Sequence, residues 1–161
     1  MKIMKFGGTS VANNEAISRT IEIIRTKLDE KPVVVVSALS KVTDLLYKIA
    51  DSAALKDKKA SAEHLEKLRE RHINLCRELI TNDETLLNDA ISRVETLCSE
   101  LEYIVVAVCA LGELSDRSKS IIIAFGEYLS SNIISCAMNA RGIKTRLMNS
   151  REMIITNEEH M

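Results

Sequence analysis

The sequence predicts an α/β fold, a mainly parallel sheet flanked by helices with a helical excursion at about 58–110. Three observations carry this. A short apolar run at 2–6 ends at Gly7-Gly8, as a strand ends in a turn. Val33-Val34-Val35-Val36 is an unbroken β-branched run of the kind buried on both faces of a parallel sheet. Between them Ile17, Ile21, Ile24 and Leu28 recur at helical spacing, so residues 2–36 read as a βαβ unit with a right-handed crossover.

The remaining elements follow in order. Asn13 or Asn14 is the candidate N-cap of the first helix, and Pro32 ends the polar connection to the second strand. Residues 37–43 form a loop, and Leu45, Leu46, Ile49 and Ala53 then mark one helix face. Residues 55–62 are polar and lysine-rich, as in an exposed connection. Leu65, Leu68, His72, Leu75 and Leu79 make one helical stripe; Leu87, Ile91, Val94, Cys98 and Leu101 make a second after an Asn82-Asp83 cap. These predict an antiparallel helical pair. The Ile-Val-Val and Val-Cys residues of 103–111 favour a strand by propensity, but no breaker interrupts the helical register before Gly112, so this stretch reads as buried helix. A helix over about 118–140 contains Gly126 and closes at Gly142 as a C′ glycine. Residues 142–148 alternate like a strand, and Met153-Ile154-Ile155 is a last short apolar run.

Composition narrows the function classes. The 161 residues are 46% hydrophobic and 28% charged, with a formal net charge of −1. Basic and acidic residues interleave, so there is no electrostatic case for nucleic acid or an anionic membrane. No apolar run is read as a membrane span and no signal peptide is read at the start, which points to a cytoplasmic protein. Cys76, Cys98, Cys109 and Cys136 form no C-x-x-C pair and fall on apolar stripes, as reduced core thiols do. No metal-ligand cluster is visible, and His64, His72 and His160 read as surface or stripe residues.

The opening M-K-I-M-K-F-G-G-T-S-V concentrates a lysine, two glycines and two hydroxyls. Backbone amides at a strand-to-helix turn, with the helix dipole behind them, favour an anion. Gly7 and Gly8 remove side chains that would hold a phosphate away and permit unusual backbone angles. Lys5 supplies a point charge. The spacing is neither that of the Walker A loop nor that of the dinucleotide fingerprint.

K-F-G-G-T-S-V resembles the signature of the aspartate kinases, in the amino-acid kinase superfamily. V-V-V-V-S-A-L-S-K-V-T-D-L-L (33–46) resembles that family's second-strand loop, and L-G-E-L-S-D-R-S-K-S-I-I-I-A-F-G-E-Y-L-S-S (111–131) its segment around F-G-E-x-L-S. The tail G-I-K-T-R-L-M-N-S-R-E-M-I-I-T-N resembles the following strand and "D-A-R-E" turn, with Asn149 in place of the frequent Asp. Ser115-Asp116-Arg117 stands where the family often has T-P-R, a helix-start change. The match runs along nearly the whole chain, least specifically over 58–110.

The resemblance implies a three-layer amino-acid kinase-like fold and transfer of the γ-phosphoryl of Mg-ATP to the β-carboxylate of L-aspartate, the first step towards lysine, threonine and methionine. It makes Lys5 the catalytic residue that stabilises the transferring phosphoryl group. Lys5, Gly7, Gly8, Thr9 and Ser10 line the phosphate path. Ser37, Ala38 and Thr43 contact the aspartate, Glu127 pairs with its ammonium group, and magnesium arrives with ATP rather than on a protein-bound site. Thr43 is also a candidate N-cap for a helix at 44–54. Gly126 is costly inside a helix, so close approach of substrate or another helix is its expected reason.

The family continues beyond what these 161 residues hold. The resemblance therefore implies that 1–161 is the N-terminal, amino-acid-side portion of a catalytic domain, without the nucleotide half or the regulatory domains, and inactive alone. An exposed sheet edge would favour self-association, so a non-catalytic, homo-oligomeric module is an alternative. Another amino-acid kinase, such as an acetylglutamate kinase, is a further one.

Overall fold

The computed structural model describes residues 2–153. Strand β1 (Ile3–Phe6) is followed by helix α1 (Asn14–Arg25), a 3-10 turn (Leu28–Glu30), strand β2 (Val33–Val36) and helices α2 (Val42–Ala54), α3 (Lys58–Leu79), α4 (Glu84–Leu111), α5 (Asp116–Ala140) and α6 (Ser150–Met153). The two strands pair in parallel, Ile3 opposite Val33 through Phe6 opposite Val36. The strand-helix-strand reading is therefore correct, and α1 supplies the crossover.

Each helix start has a local cause. The Asn13 side chain accepts the Ala16 amide, so Asn13 rather than Asn14 is the cap of α1. Asp57, Asp83 and Ser115 cap α3, α4 and α5 in the same way. Gly112 ends α4 in the left-handed conformation (φ 71°), and Gly142 (φ 76°) follows α5. The uninterrupted register of 103–111 wins over its β propensity, and the stretch is the last part of α4. Only one side of it is buried, however: Val105, Val108 and Cys109 face the core, while Tyr103, Val106 and Leu111 are exposed.

The core is one cluster. Ile17, Ile21 and Ile24 of α1, Leu46 and Ile49 of α2, Leu68 of α3, Leu101 of α4 and Ile122, Leu129 and Ile133 of α5 are almost completely excluded from solvent. Met4, Phe6, Val34 and Val36 pack against it from one face of the sheet.

Four expectations are corrected. Val33 and Val35 are 47% and 45% exposed, so β2 is buried on one face only. Among the described residues, helices cover that one face of the two-stranded sheet. Residues 142–148 are not a strand: Ile143 is buried, but Thr145 turns back onto α5, bonding Asn139 and Ser135. Alternation alone makes no strand; the segment must also lie along a sheet edge and bond to it, and this one bonds to α5 instead. Leu28 lies in the 3-10 turn and is exposed rather than completing the α1 stripe. The connection at 55–62 is short, because α3 already begins at Lys58. Ile154, Ile155 and His160 lie outside the described residues.

Helix α5 is long and apolar enough to cross a bilayer by length and composition, contrary to the reading that no run approaches a span. More than half of that stretch is buried inside this fold, against α2, α4 and β2.

Candidate functional site

In a parallel pair the two strands end at the same edge, so the loops that follow them lie side by side. Here the ladder continues one step past the strands, with the Ser37 amide donating to the Phe6 carbonyl at 3.0 Å. The β1–α1 loop (7–13) and the β2–α2 loop (37–41) thereby meet. A Cβ on Gly8 would stand 3.2 Å from the Ala38 carbonyl oxygen, closer than most side chains come to a backbone atom. This approach favours glycine at position 8. Gly7 faces open space, with nothing within 4 Å of the position its Cβ would take.

Neither glycine has a positive φ, so the unusual backbone angles expected of them are not needed. Nor do they abut a free helix end. The Gly7 carbonyl closes a turn with the Ser10 amide at 2.9 Å, Thr20 Oγ1 holds the Ser10 carbonyl at 2.8 Å, and α1 starts only after Asn13 has capped it. The open backbone around Gly7 and the exposed Thr9, with Lys5, are what this loop offers an anion; the α1 dipole stands farther along the chain. Lys5 projects from the exposed face of the sheet, in register with Val35, and makes no ion pair among the described residues.

The second loop is held by α5. One oxygen of Glu127, Oε1, accepts the Ala38 amide at 3.2 Å, and Ser130 Oγ, fully buried, donates to the Ser37 carbonyl at 2.8 Å. That carbonyl and that amide belong to one peptide unit, so two side chains on neighbouring turns of α5 grip both ends of the Ser37–Ala38 bond. Gly126 allows the grip. A Cβ there would come within 2.7 Å of Ala38 Cβ and 3.2 Å of Leu46 Cδ1. The close approach expected at Gly126 is thus the β2–α2 loop and α2.

Thr43 is not a cap. Helix α2 starts one residue earlier, at Val42, behind Lys41 in a left-handed conformation (φ 64°) with no side-chain cap. The half-buried Thr43 hydroxyl, inside the first turn, has no hydrogen-bond partner among the described residues.

The structure brings together the elements that carry Lys5, Gly7, Gly8, Thr9, Ser10, Ser37, Ala38, Thr43 and Glu127: the end of β1, the two loops, the first turn of α2 and the middle of α5. Two further residues act on these loops. Ser130 lies inside the quoted F-G-E-Y-L-S-S stretch, where a buried serine one turn after an acid was the available signal. Arg71 of α3 donates to the Ser40 carbonyl at 2.8 Å and the Ala12 carbonyl at 3.4 Å, and nothing in its helical stripe marks it.

A family model for the amino acid kinase family matches residues 1–160. Aspartokinase 1, chloroplastic, of Arabidopsis thaliana is 32% identical over 94% of this chain, which spans 26% of that protein. Aspartokinase 3, chloroplastic, of the same plant is 31% identical over 98% of the chain and 27% of its own length. Escherichia coli aspartokinase III, solved with aspartate and ADP, superposes with a TM-score of 0.82 at 22% identity, over 98% of this chain and 33% of that one. The chain therefore spans about a quarter to a third of these relatives.

Proposed function

Because the chain belongs to the amino acid kinase family, we propose that it forms the amino-acid side of an aspartate kinase site, in which the γ-phosphoryl of ATP passes to the β-carboxylate of L-aspartate. The observation that carries the proposal is the meeting of the two loops: a lysine-glycine loop open to an anion beside a loop whose central peptide is fixed by a carboxylate.

In this reading Glu127 has two tasks. Oε1 holds the Ala38 amide, and Oε2 takes the substrate ammonium. Thr43 and the Ser37 hydroxyl donate to substrate carboxylate oxygens. The substrate β-carboxylate attacks the γ-phosphorus; an O–P bond forms, the bond to the β-phosphate oxygen breaks, and ADP leaves with that electron pair. No protein nucleophile and no net proton transfer is required. Lys5 neutralises charge on the equatorial oxygens while the backbone at Gly7 and Gly8 lets the phosphoryl group come close. Positioning and positive charge are what such a transfer needs. Magnesium is assigned to the nucleotide phosphates, with which it enters.

We further propose that this chain alone turns over little ATP, since it spans only a third of the solved enzyme. The test is calorimetric titration of the 161-residue chain with L-aspartate, alongside aspartate-dependent ADP formation. Binding is expected to weaken about tenfold or more in Glu127→Gln, through loss of a charge-assisted contact. Any ADP formation should vanish in Lys5→Ala. A folded chain that does not bind L-aspartate, or binds it equally after Glu127→Gln, overturns the reading; acetylglutamate binding in its place would select the other kinase.

A second reading rests on the exposed sheet face. Ile3, Val33 and Val35 are 67%, 47% and 45% exposed around Lys5, and both strands are edges among the described residues. This favours a self-associating, non-catalytic module. A concentration-dependent dimer that buries Lys5 and excludes L-aspartate would select it.

A further inference from the structure

Arg71 lies in the helical excursion, away from every motif, yet its guanidinium reaches both site loops. The same nitrogen, Nη2, donates to Ser40 at 2.8 Å and to Ala12 at 3.4 Å. Each carbonyl stands at a point where its loop turns into a helix. Ala12 precedes Asn13, the cap of α1, and Ser40 precedes Lys41, whose left-handed backbone (φ 64°) opens α2. One donor thus joins the far ends of the two loops, while Gly8 and Ala38 bring their near ends together.

Arg71 is partly buried and has no carboxylate within ion-pair distance among the described residues; the two loop carbonyls are the partners it has there. Burial lowers its pKa from the ordinary value, but a guanidinium remains charged at any working pH. Its hydrogen-bond partners among the described residues are backbone carbonyls. A cation that needs only an arginine's stem to fill space would be replaceable by methionine; one that must serve two carbonyls is not, because both acceptors would lose a charge-assisted bond.

We propose that Arg71 is a positioning residue that clasps the phosphate-side loop (7–13) to the amino-acid-side loop (37–41), so that a ligand on one loop is felt on the other. The identity of those ligands rests on the kinase reading above; the clasp does not.

The experiment is amide hydrogen exchange by NMR on the 161-residue chain, without ligand, in wild type, Arg71→Met and Arg71→Lys. Two amides report on the loops: Ser10, which closes a turn on Gly7, and Val42, which closes one on Leu39. In Arg71→Met both should exchange about tenfold faster, the scale of one charge-assisted bond, while amides in the middle of α5 change less than twofold. Arg71→Lys, with the charge but not the fork, should fall between. Unchanged exchange in either loop overturns the clasp. So does uniform acceleration throughout the chain, or failure of both variants to fold, since either assigns Arg71 to global stability. L-Aspartate is then titrated. In wild type it should shift the Val42 and Ser10 amides together; in Arg71→Met the Val42 shift should persist and the Ser10 shift should shrink. Absence of any wild-type shift overturns the kinase reading and leaves the clasp to be decided by the exchange rates.

Discussion

Replacing Gly126 by alanine sets two effects against each other. Glycine in a helix interior is about 1 kcal/mol worse than alanine, so on propensity alone Gly126→Ala stabilises α5. The new methyl, however, would lie 2.7 Å from Ala38 Cβ, 3.2 Å from Leu46 Cδ1 and 3.5 Å from Val42 Cγ1. Leu46 can turn away by a rotamer change. Ala38 cannot, because its Cβ moves only with the backbone. Restoring ordinary carbon–carbon contact of about 3.5–4.0 Å requires the loop to retreat by about 1 Å. Overpacking of this kind costs about 1–3 kcal/mol, which exceeds the propensity gain over most of its range. The expected net effect is about 0–2 kcal/mol of destabilisation by urea unfolding. The more telling effect is local. The Glu127–Ala38 bond is already 3.2 Å long, and a retreat of that size breaks it. The Ala38 amide should therefore lose protection and L-aspartate affinity should fall, even where stability is nearly unchanged. A variant about 1 kcal/mol more stable than wild type, with the Ala38 amide resonance in place, would refute the packing argument.

Other outcomes follow from the same geometry. Ser130→Ala takes the fully buried hydroxyl from the Ser37 carbonyl and should cost about 1 kcal/mol in urea unfolding; Ser130→Thr, which keeps the hydroxyl, should restore the hydrogen bond at the expense of crowding, and equal stability of Ser130→Ala and wild type would remove Ser130 from the grip. His72 is completely buried, with Nδ1 on the Leu68 carbonyl at 2.7 Å and Nε2 unpartnered, and burial holds its pKa at about 4 against an ordinary 6.5. The unfolded chain then takes up the proton first. Stability is fully present above pH 6.5 and falls by up to about 3 kcal/mol as pH drops towards 4; His72→Leu should flatten that window, and an unaltered slope would contradict the assignment. Burial pushes the Cys76 thiol up to about 12 and Cys98 to about 11, and raises Cys136. All four cysteines are buried and free, so a disulfide-exchange reagent at pH 8 should label fewer than one thiol rapidly in the native chain and four in denaturant.

Much of the fold is written in local pattern. The stripes Leu65–Leu68–His72–Leu75–Leu79 and Val94–Cys98–Leu101 are buried where helical spacing puts them, and Asn13, Asp83 and Gly142 bound helices as their chemistry requires. Such features depend on residues within a turn or two, which is why they can be read along the chain. The lysine-glycine loop stands out by residue type, and F-G-E-Y-L-S-S by its resemblance to the aspartate kinase segment; both lie where the loops and α5 meet.

Tertiary structure decided whatever depends on a partner distant in sequence. Whether Val33 and Val35 are covered depends on which elements lie above the sheet, and a β-branched run reads the same with one face open. Residues 142–148 alternate, yet bond to α5 through Thr145 rather than to a strand edge. Gly126 could be read as a close approach, but only the packed helices show it to be to Ala38 and Leu46. Arg71 is the extreme case: its two acceptors lie 59 and 31 residues away, in separate loops, and a helical arginine bears no local mark of such a reach. Backbone period and capping are short-range forces along the chain; loop-to-loop contact and charge burial arise only once the core has brought the elements together.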